Sequence, residues 1–212
     1  MPYLSLIGMS GSGKSQWSER LEKNGFRRFC CDDMIAAALE SELSQPDGSM
    51  LEMGRWMGFP YQERYAECEA KYLAREIEVL GRIADELDGH HGHLGENVVV
   101  DTTGSVIYAG DALLSRLRRH TIFVHFPVPA EIQSEMLKAY VASPRPVLWR
   151  GIFSRAPGES DAAALERCYG MLLSSREVLY ANYADVSLDY YLRSREDFTV
   201  ADFLKAVAGR KS

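Results

Sequence analysis

The chain has 212 residues and a formal net charge of -6, with 46% hydrophobic and 25% charged residues. This balance indicates a folded protein and excludes a disordered one. The acidic charge argues against nucleic-acid binding, since phosphate backbones need clustered Lys and Arg. The sequence shows neither a signal peptide nor an apolar stretch that would span a membrane. We therefore expect a cytoplasmic protein that uses a small-molecule substrate, binds no membrane, and is a monomer or weak homodimer.

Short apolar segments alternate with helical ones in the first part of the chain. Residues 3–7 predict a strand that ends in a glycine-rich loop, and a polar helix follows over 14–23. A second strand over 26–31 and a second helix over 34–43 come next. Residues 44–60 contain two prolines and three glycines, so they predict a loop or an irregular insertion.

A long helix with one apolar face is expected next, because apolar residues recur at alternating steps of four and three. They are Leu73, Ile77, Leu80, Ala84 and Leu87. The glycine-rich stretch that follows holds His90, His91 and His93. Without a carboxylate or cysteine at ligand spacing, these histidines predict a solvated turn rather than a metal site.

The second part of the chain continues the alternation of strands and helices. Strands are predicted at 98–101, 121–126 and 186–189, and helices at 110–119, 129–142, 161–183 and 199–208. Apolar strands that alternate with helices indicate a parallel sheet covered on both faces. We therefore predict one α/β domain with a three-layer architecture and a five-stranded parallel sheet. The loop over 143–160 is rich in Arg, Pro and Gly and is predicted to be a mobile lid.

A phosphate-binding loop, or P-loop, follows the first predicted strand. Residues 8–15, GMSGSGKS, fit the pattern G-x-x-x-x-G-K-[ST] at every fixed position, between a strand and a helix as that motif requires. The backbone N–H groups of such a loop surround the phosphates of a nucleotide, Lys14 reaches the β- and γ-phosphates, and Ser15 ligates Mg²⁺. The predicted ATP-binding residues of this loop are Gly8, Ser10, Gly11, Ser12, Gly13, Lys14 and Ser15.

Several motifs together resemble shikimate kinases, a family with the nucleoside-monophosphate-kinase-like fold. They are the P-loop, Asp32-Asp33 after the second strand, the Arg-Pro-x-Leu segment at 145–148, and the late Arg-x-x-x-Tyr-x-x-x-Ala-Asp at 176–185. The P-loop is also similar to that of gluconate kinases. The resemblance implies a kinase domain over 1–212 with a substrate-binding insertion over about 33–88, ATP and Mg²⁺ as cofactors, and shikimate as the leading acceptor.

The acidic pair bears on catalysis. The resemblance implies that Asp32 binds the hydroxyl to be phosphorylated, while the magnesium-side aspartate of the family falls on Cys30. Asp33 is an alternative for that role, and capping of the next helix is an alternative for the pair. Asp101 ends an apolar strand and is expected to contact Mg²⁺ directly or through water. Where shikimate kinases have three glycines near the substrate, this chain has residues 102–104, and Thr103 and Gly104 are predicted substrate contacts.

Four basic residues are further candidates. The resemblance makes Arg145 the lid arginine that stabilises the transferring phosphoryl group, and Lys138 the residue beside adenine. It makes Arg64 a weaker candidate for substrate binding. Arg176 also stands out by pattern, because it occupies a core position in the stripe formed by Leu165, Tyr169, Leu172, Leu179 and Tyr183. A buried cation needs a partner, and either a substrate carboxylate or a protein aspartate would serve.

The predicted reaction is transfer of the ATP γ-phosphoryl group to a hydroxyl of a small anionic metabolite. Lys14 and Arg145 would neutralise charge, and Asp32 or Asp33 would orient the acceptor hydroxyl. Alternatives within the fold are a gluconate-like acid and a nucleotide as acceptor. From another functional class, a regulatory protein that binds nucleotide without transferring phosphate is the competing interpretation.

Overall fold

A computed structural model describes residues 2–89 and 96–209. His90, His91 and His93 lie outside the described residues. The helices are α1 Lys14–Glu22, α2 Cys31–Ala38, α3 Glu40–Leu43, α4 Met53–Met57, α5 Tyr65–Gly89, α6 Asp111–Arg118, α7 Ala130–Ala142, α8 Asp161–Tyr183, α9 Tyr190–Arg193 and α10 Val200–Ala208. A short 3₁₀ helix covers Val106–Tyr108.

The centre of the fold is a parallel sheet of five strands. They are β1 Tyr3–Ile7, β2 Phe26–Cys30, β3 Asn97–Asp101, β4 Ile122–His125 and β5 Val186–Ser187. Their order across the sheet is β2-β3-β1-β4-β5. The connections on the two sides of β1 therefore lead toward opposite edges of the sheet, which makes β1 the topological switch point. In such sheets a crevice forms at the switch point, outside the carboxyl ends of the strands.

Helices cover both faces of this sheet, as the sequence predicts. The side-chain alternation of β3 sends Val98 and Val100 to one face and Val99 to the other. On the Val99 face, Trp17 of α1 stacks on Phe203 of α10 with ring centroids 5.0 Å apart. The opposite face packs α2, α5 and α8 into the larger part of the core. The predicted three-layer α/β fold is confirmed.

Two local predictions were wrong after β2. The strand ends at Cys30, and α2 begins at Cys31, three residues earlier than predicted, which puts the acidic pair in the first helical turn. Within the segment predicted as a loop, residues 53–57 form α4. This helix of five residues buries Trp56 and Met57 in the core, so tertiary packing stabilises a helix that is too short to be stable alone.

The predicted apolar face of α5 is confirmed in part. Leu80, Ala84 and Leu87 are buried as expected, whereas Ile77 is 39% exposed. The buried face also includes residues that the predicted stripe leaves out, which are Tyr72, Glu76, Val79 and Ile83. Tyr72 and Glu76 therefore lie in the interior.

Two further features concern the cysteines and membrane segments. All four cysteines are free, and three of them are buried. Among the described helices, none combines the length and apolar character that crossing a bilayer requires. Residues 143–160 contain neither helix nor strand, and they include Arg150, which has a positive φ of 49°.

Candidate active site

The P-loop connects β1 to α1 at the carboxyl edge of the sheet. Gly8 has a φ of 145°, and a Cβ at this position would lie 2.9 Å from the Phe126 carbonyl oxygen. Gly13 has a φ of 94° at the N-terminus of α1, in the left-handed region that side chains disfavour. These glycines allow the chain to curl, so that N–H groups at the start of the helix face inward.

Lys14 is buried and bonded within the loop. Its Nζ donates to the carbonyl oxygens of Gly8 at 2.8 Å and Met9 at 3.0 Å. Burial lowers the pKa of this lysine, and the charges of Asp101 and Asp32 oppose that effect. A cation that is already desolvated interacts more strongly with phosphate than a hydrated one.

One cavity of about 590 Å³ joins the P-loop to the other predicted site segments. Its floor and walls come from the P-loop, the start of α2, the region around α4, the segment after β3, and the segment after α7. The predicted residues that line it are Ser10, Gly11, Gly13, Lys14, Ser15, Asp32, Thr103, Gly104 and Arg145. Gly8 and Ser12 belong to the same loop and are not among the lining residues.

Asp32 and Asp33 are separated by the geometry of α2. Asp32 opens into the cavity, and the Tyr72 hydroxyl donates to its Oδ1 at 3.3 Å. The protein atoms packed around Asp32 raise its pKa, and Lys14 opposes that shift. Asp33 is exposed, is not among the lining residues, and contacts Cys30 instead. Burial raises the pKa of the Cys30 thiol to about 12.

Asp101 is buried at the end of β3 and has protein partners. Ser18 Oγ donates to its Oδ2 at 2.7 Å, and Arg28 donates to the same oxygen at 2.9 Å. Sequence reasoning missed both partners. Arg28 lies in a strand pattern that does not distinguish it from a surface arginine. Among the described residues, no group of three His, Cys, Asp or Glu side chains is arranged to hold a metal ion.

Arg145 lies in the segment predicted to be a lid and is exposed to the cavity. This segment rests on α4, since a Cβ at Gly54 would lie only 1.7 Å from the Pro144 carbonyl oxygen. The contact between α4 and residues 144–145 was not predicted. It shows why a glycine in this helix matters, because no larger residue fits against that backbone.

Arg176 is 1% exposed, which confirms the burial that the stripe in α8 predicts. Its guanidinium donates to the carbonyl oxygens of Gly104, at 2.9 Å, and Leu148, and lies 5.3 Å from the Tyr108 ring centroid. A Cβ at Gly104 would lie 2.8 Å from the Ser10 backbone nitrogen. Within the described chain its hydrogen-bonded carbonyl oxygens join the P-loop region to residue 148, and no protein aspartate pairs with it. A substrate carboxylate as its partner stays a prediction.

Two predicted residues are not brought to the cavity. Arg64 is exposed ahead of α5, and the neighbouring Glu67 pairs with Lys71 at 2.9 Å. Lys138 is exposed on α7 and pairs with Glu135 at 2.7 Å. It borders a separate and larger cavity of about 720 Å³, lined mostly by apolar residues of α7 and α8. The P-loop does not line that cavity, so its size does not make it the active site.

Glu76 is a buried residue of this site that sequence reasoning missed. Its carboxylate accepts hydrogen bonds from Thr103 Oγ1 and from Ser105 Oγ, the latter at 2.7 Å. Burial raises its pKa to about 7, although the two hydroxyl bonds counteract the shift. The sequence signal for its burial is its spacing of four residues from both Tyr72 and Leu80, because residues at this spacing share one helix face.

Arg193 in α9 supports the P-loop from another side and was also missed. It is 4% exposed and donates to the carbonyl oxygens of Leu188 and Pro127, each at 2.6 Å, and of Ser12 at 3.3 Å. Burial lowers its pKa to about 10. A second cavity of about 510 Å³ lies here between the P-loop, α1 and residues 190–196.

Comparisons with known proteins show which fold this is. No family model and no curated protein matches the sequence significantly. Among solved structures, a shikimate kinase from Acinetobacter baumannii in complex with shikimate is similar at a TM-score of 0.61 and 17% identity, covering 100% of this chain and 95% of that one.

Two more shikimate kinases are similar over nearly the whole chain. The Aquifex aeolicus enzyme has a TM-score of 0.56 at 16% identity, covering 98% of this chain and 96% of that one. The Bacteroides thetaiotaomicron enzyme has a TM-score of 0.55 at 15% identity, covering 98% and 95%. The resemblance derived from the motifs is thus confirmed at the level of the fold.

Proposed function

We propose that this chain transfers the γ-phosphoryl group of ATP to a hydroxyl of a small molecule. The observation that carries the proposal is the shared cavity of about 590 Å³, which is lined by Lys14 of the P-loop, the carboxylate residue Asp32 and a second cation, Arg145. Lys14, Asp32 and Arg145 are the three charged groups that this chemistry requires. The nucleoside of ATP would lie toward the cavity of about 510 Å³ beside residues 190–196.

In the proposed step, the acceptor oxygen forms a bond to the γ-phosphorus while the bond to the β–γ bridging oxygen breaks. ADP leaves with that electron pair, and the proton of the acceptor hydroxyl passes to Asp32. The raised pKa of Asp32 suits it to receive this proton. Lys14 and Arg145 stabilise the charge that spreads over the transferring group.

The oxygen donors of the cavity fit magnesium. In nucleotide sites Mg²⁺ binds one or two protein groups together with phosphate oxygens, so a larger cluster of acids is not needed. Ser15 lines the cavity and would supply one such group, which leaves Asp32 to receive the proton. Asp101 would act through water, since Ser18 and Arg28 engage its Oδ2. Bound with ATP, the ion supplies neutralisation of the β- and γ-phosphates.

The proposal is tested by ADP release from Mg·ATP, alone and with a panel of acceptors led by shikimate. We expect one acceptor to stimulate release, and Lys14→Ala to abolish that stimulation. Asp32→Asn should bind ATP normally and lower kcat by roughly 10²- to 10⁴-fold, the range for loss of a general base. Stimulation that survives Lys14→Ala would contradict the proposal.

One observation favours a second candidate, a protein that binds nucleotide without transferring phosphate. The Arg28–Asp101 ion pair at 2.9 Å withdraws one carboxylate oxygen from the edge of the sheet, and Cys30 supplies no charge. Tight ATP binding without any acceptor-dependent ADP release would support this candidate. Restored release in Arg28→Gln, which frees Asp101, would then identify the ion pair as the cause.

A further inference from the structure

The charges that line the cavity are balanced. Among the lining residues of the described chain, Lys14 and Arg145 are cationic and Asp32 and Glu52 are anionic. Glu52 is 71% exposed and pairs at 3.7 Å with Arg55, which is not among the lining residues, so the pair is weak. An acceptor in this cavity therefore meets two carboxylates as well as the two cations.

Under the proposed function, both cations of the cavity would bind the phosphates of ATP. Lys14 lies within the P-loop, bonded to the Gly8 and Met9 carbonyl oxygens. Arg145 lines two neighbouring cavities together with Ser10 and Gly11 of the P-loop. A nucleotide with three phosphates engages such groups fully, and neither cation is then left for a carboxylate on the acceptor.

The arginines expected to bind an acidic acceptor have other positions. Arg64 is exposed outside the cavity, and Arg176 is buried against the carbonyl oxygens of Gly104 and Leu148. Its Nε has no hydrogen-bond partner among the described residues, but Arg176 does not line the cavity. An acceptor carboxylate would thus face Asp32 and Glu52 without a dedicated cation, and like charges at close range repel.

The uncharged groups of the cavity wall also favour one kind of ligand. The Thr103 hydroxyl donates its hydrogen to Glu76, the Thr102 hydroxyl donates to the Leu6 carbonyl oxygen, and the Tyr72 hydroxyl donates to Asp32. Thr103 Oγ1 also accepts from the Ser105 backbone N–H at 3.1 Å. With their hydrogens engaged, these three hydroxyls have none left to donate to a ligand. A carboxylate only accepts hydrogen bonds, whereas a ligand hydroxyl also donates them.

We propose, resting on the proposed function, that the acceptor is an uncharged polyhydroxy compound, such as a sugar or a cyclic polyol, and carries no carboxylate. Its hydroxyls donate to Asp32 and Glu52, and one of them is phosphorylated. Glu76 acts as a positioning residue for this preference, because it holds the Thr103 hydrogen away from the cavity. A site built to accept from ligand hydroxyls discriminates strongly against a ligand that cannot donate.

The test compares acceptors that differ only in the acidic group. Suitable pairs are glucose with glucuronate, and shikimate with the alcohol made by reducing its carboxyl group. We expect kcat/KM for the neutral member of the responding pair to exceed that of the acid by about tenfold or more. A higher kcat/KM for the acid would overturn the proposal.

A charge-reversal variant makes the test independent of folding defects. Glu52→Lys adds a cation to an exposed position of the cavity, so the preference for the neutral member should fall by roughly three- to tenfold. The matched control is Glu63→Lys, the same change at an exposed glutamate that is not among the lining residues, and it should leave the ratio unchanged. An equal change in both variants would contradict the inference.

Failure of this inference and failure of the proposed function are distinguishable by calorimetry with a non-hydrolysable ATP analogue. Binding of the neutral member without phosphorylation in ATP would support the substrate preference and contradict kinase activity. Phosphorylation of the acid alone would support kinase activity and contradict the substrate preference. If the analogue binds and no member of either pair binds in its presence, the inference is overturned.

Discussion

Three ionisable side chains are buried in or beside the candidate active site with mainly neutral partners. Arg176 and Arg193 donate to backbone carbonyl oxygens, and Glu76 accepts from two hydroxyls. A buried charge without an opposite charge is costly, and hydrogen bonds offset that cost. For Arg176 they do so in part, since its Nε has no partner among the described residues. These residues therefore hold separate segments of backbone in one arrangement. Substituting any of them is expected to change the free energy of unfolding.

Glu76 should make stability depend on pH. Its pKa in the folded protein, about 7, lies above its ordinary 4.5 because of burial, so the folded state binds the proton more tightly. The free energy of unfolding should therefore be highest below about pH 4.5, fall as pH rises to about 7, and stay level above that. The shift corresponds to roughly 3 kcal/mol.

Urea denaturation of Glu76→Gln at pH 5 and pH 8 would check this prediction. The uncharged variant should lose most of the difference between the two pH values and should be more stable than the parent at pH 8. Glu63→Gln, at an exposed site, serves as the control. An unchanged pH dependence in Glu76→Gln would show that another group causes it.

Arg193→Lys should weaken both folding and nucleotide binding. Lysine keeps the charge but cannot span the Ser12, Pro127 and Leu188 carbonyl oxygens with a planar fork, so buried acceptors lose their partners. We expect a loss of about 2 kcal/mol in stability and a several-fold rise in the Kd for ATP. Arg195→Lys, in an exposed pair with Asp197, should change stability by less than about 1 kcal/mol.

Elements that are remote in sequence meet at the cavity, and the closest of these contacts is between α4 and the segment after α7. Gly54→Ala would place a methyl group against the Pro144 backbone, which must then move together with Arg145. We expect kcat/KM to fall about tenfold or more with the secondary structure preserved, because misplacement by about 1 Å is enough to cost this much.

Steady-state kinetics and far-ultraviolet circular dichroism of Gly54→Ala would measure this effect. Gly81→Ala in α5 is the matched control, since a Cβ there meets no atom within 4 Å. That substitution should raise stability by up to about 1 kcal/mol and leave kcat/KM unchanged. Equal kinetics in the two variants would show that α4 does not position Arg145.

The whole molecule should respond to nucleotide through linkage. A ligand that binds only the folded state at 100 times its Kd adds about 2.7 kcal/mol to stability. For a chain of 212 residues this raises the Tm by roughly 5–10 °C. Thermal unfolding with Mg·ATP should show this shift in the parent and not in Lys14→Ala, whose own Tm without nucleotide serves as the baseline.

The sequence by itself determined the parts of this protein that depend on local pattern. The P-loop requires fixed spacing of Gly8, Gly13 and Lys14 between a strand and a helix, and all of these are adjacent in the chain. The alternation of apolar strands and helices predicted the parallel sheet, and the periodicity of α8 predicted the burial of Arg176. Shikimate as acceptor stays a prediction of the resemblance.

Only the tertiary structure decided which side chains meet. Glu76 reaches Thr103 because the buried face of α5 is wider than the predicted stripe, and Arg176 meets carbonyl oxygens contributed by segments about 70 and 30 residues away. Arg64, a weaker candidate that the resemblance implied, is exposed outside the cavity. Contacts at such separation depend on how whole elements pack, and propensity and periodicity carry no information about that packing.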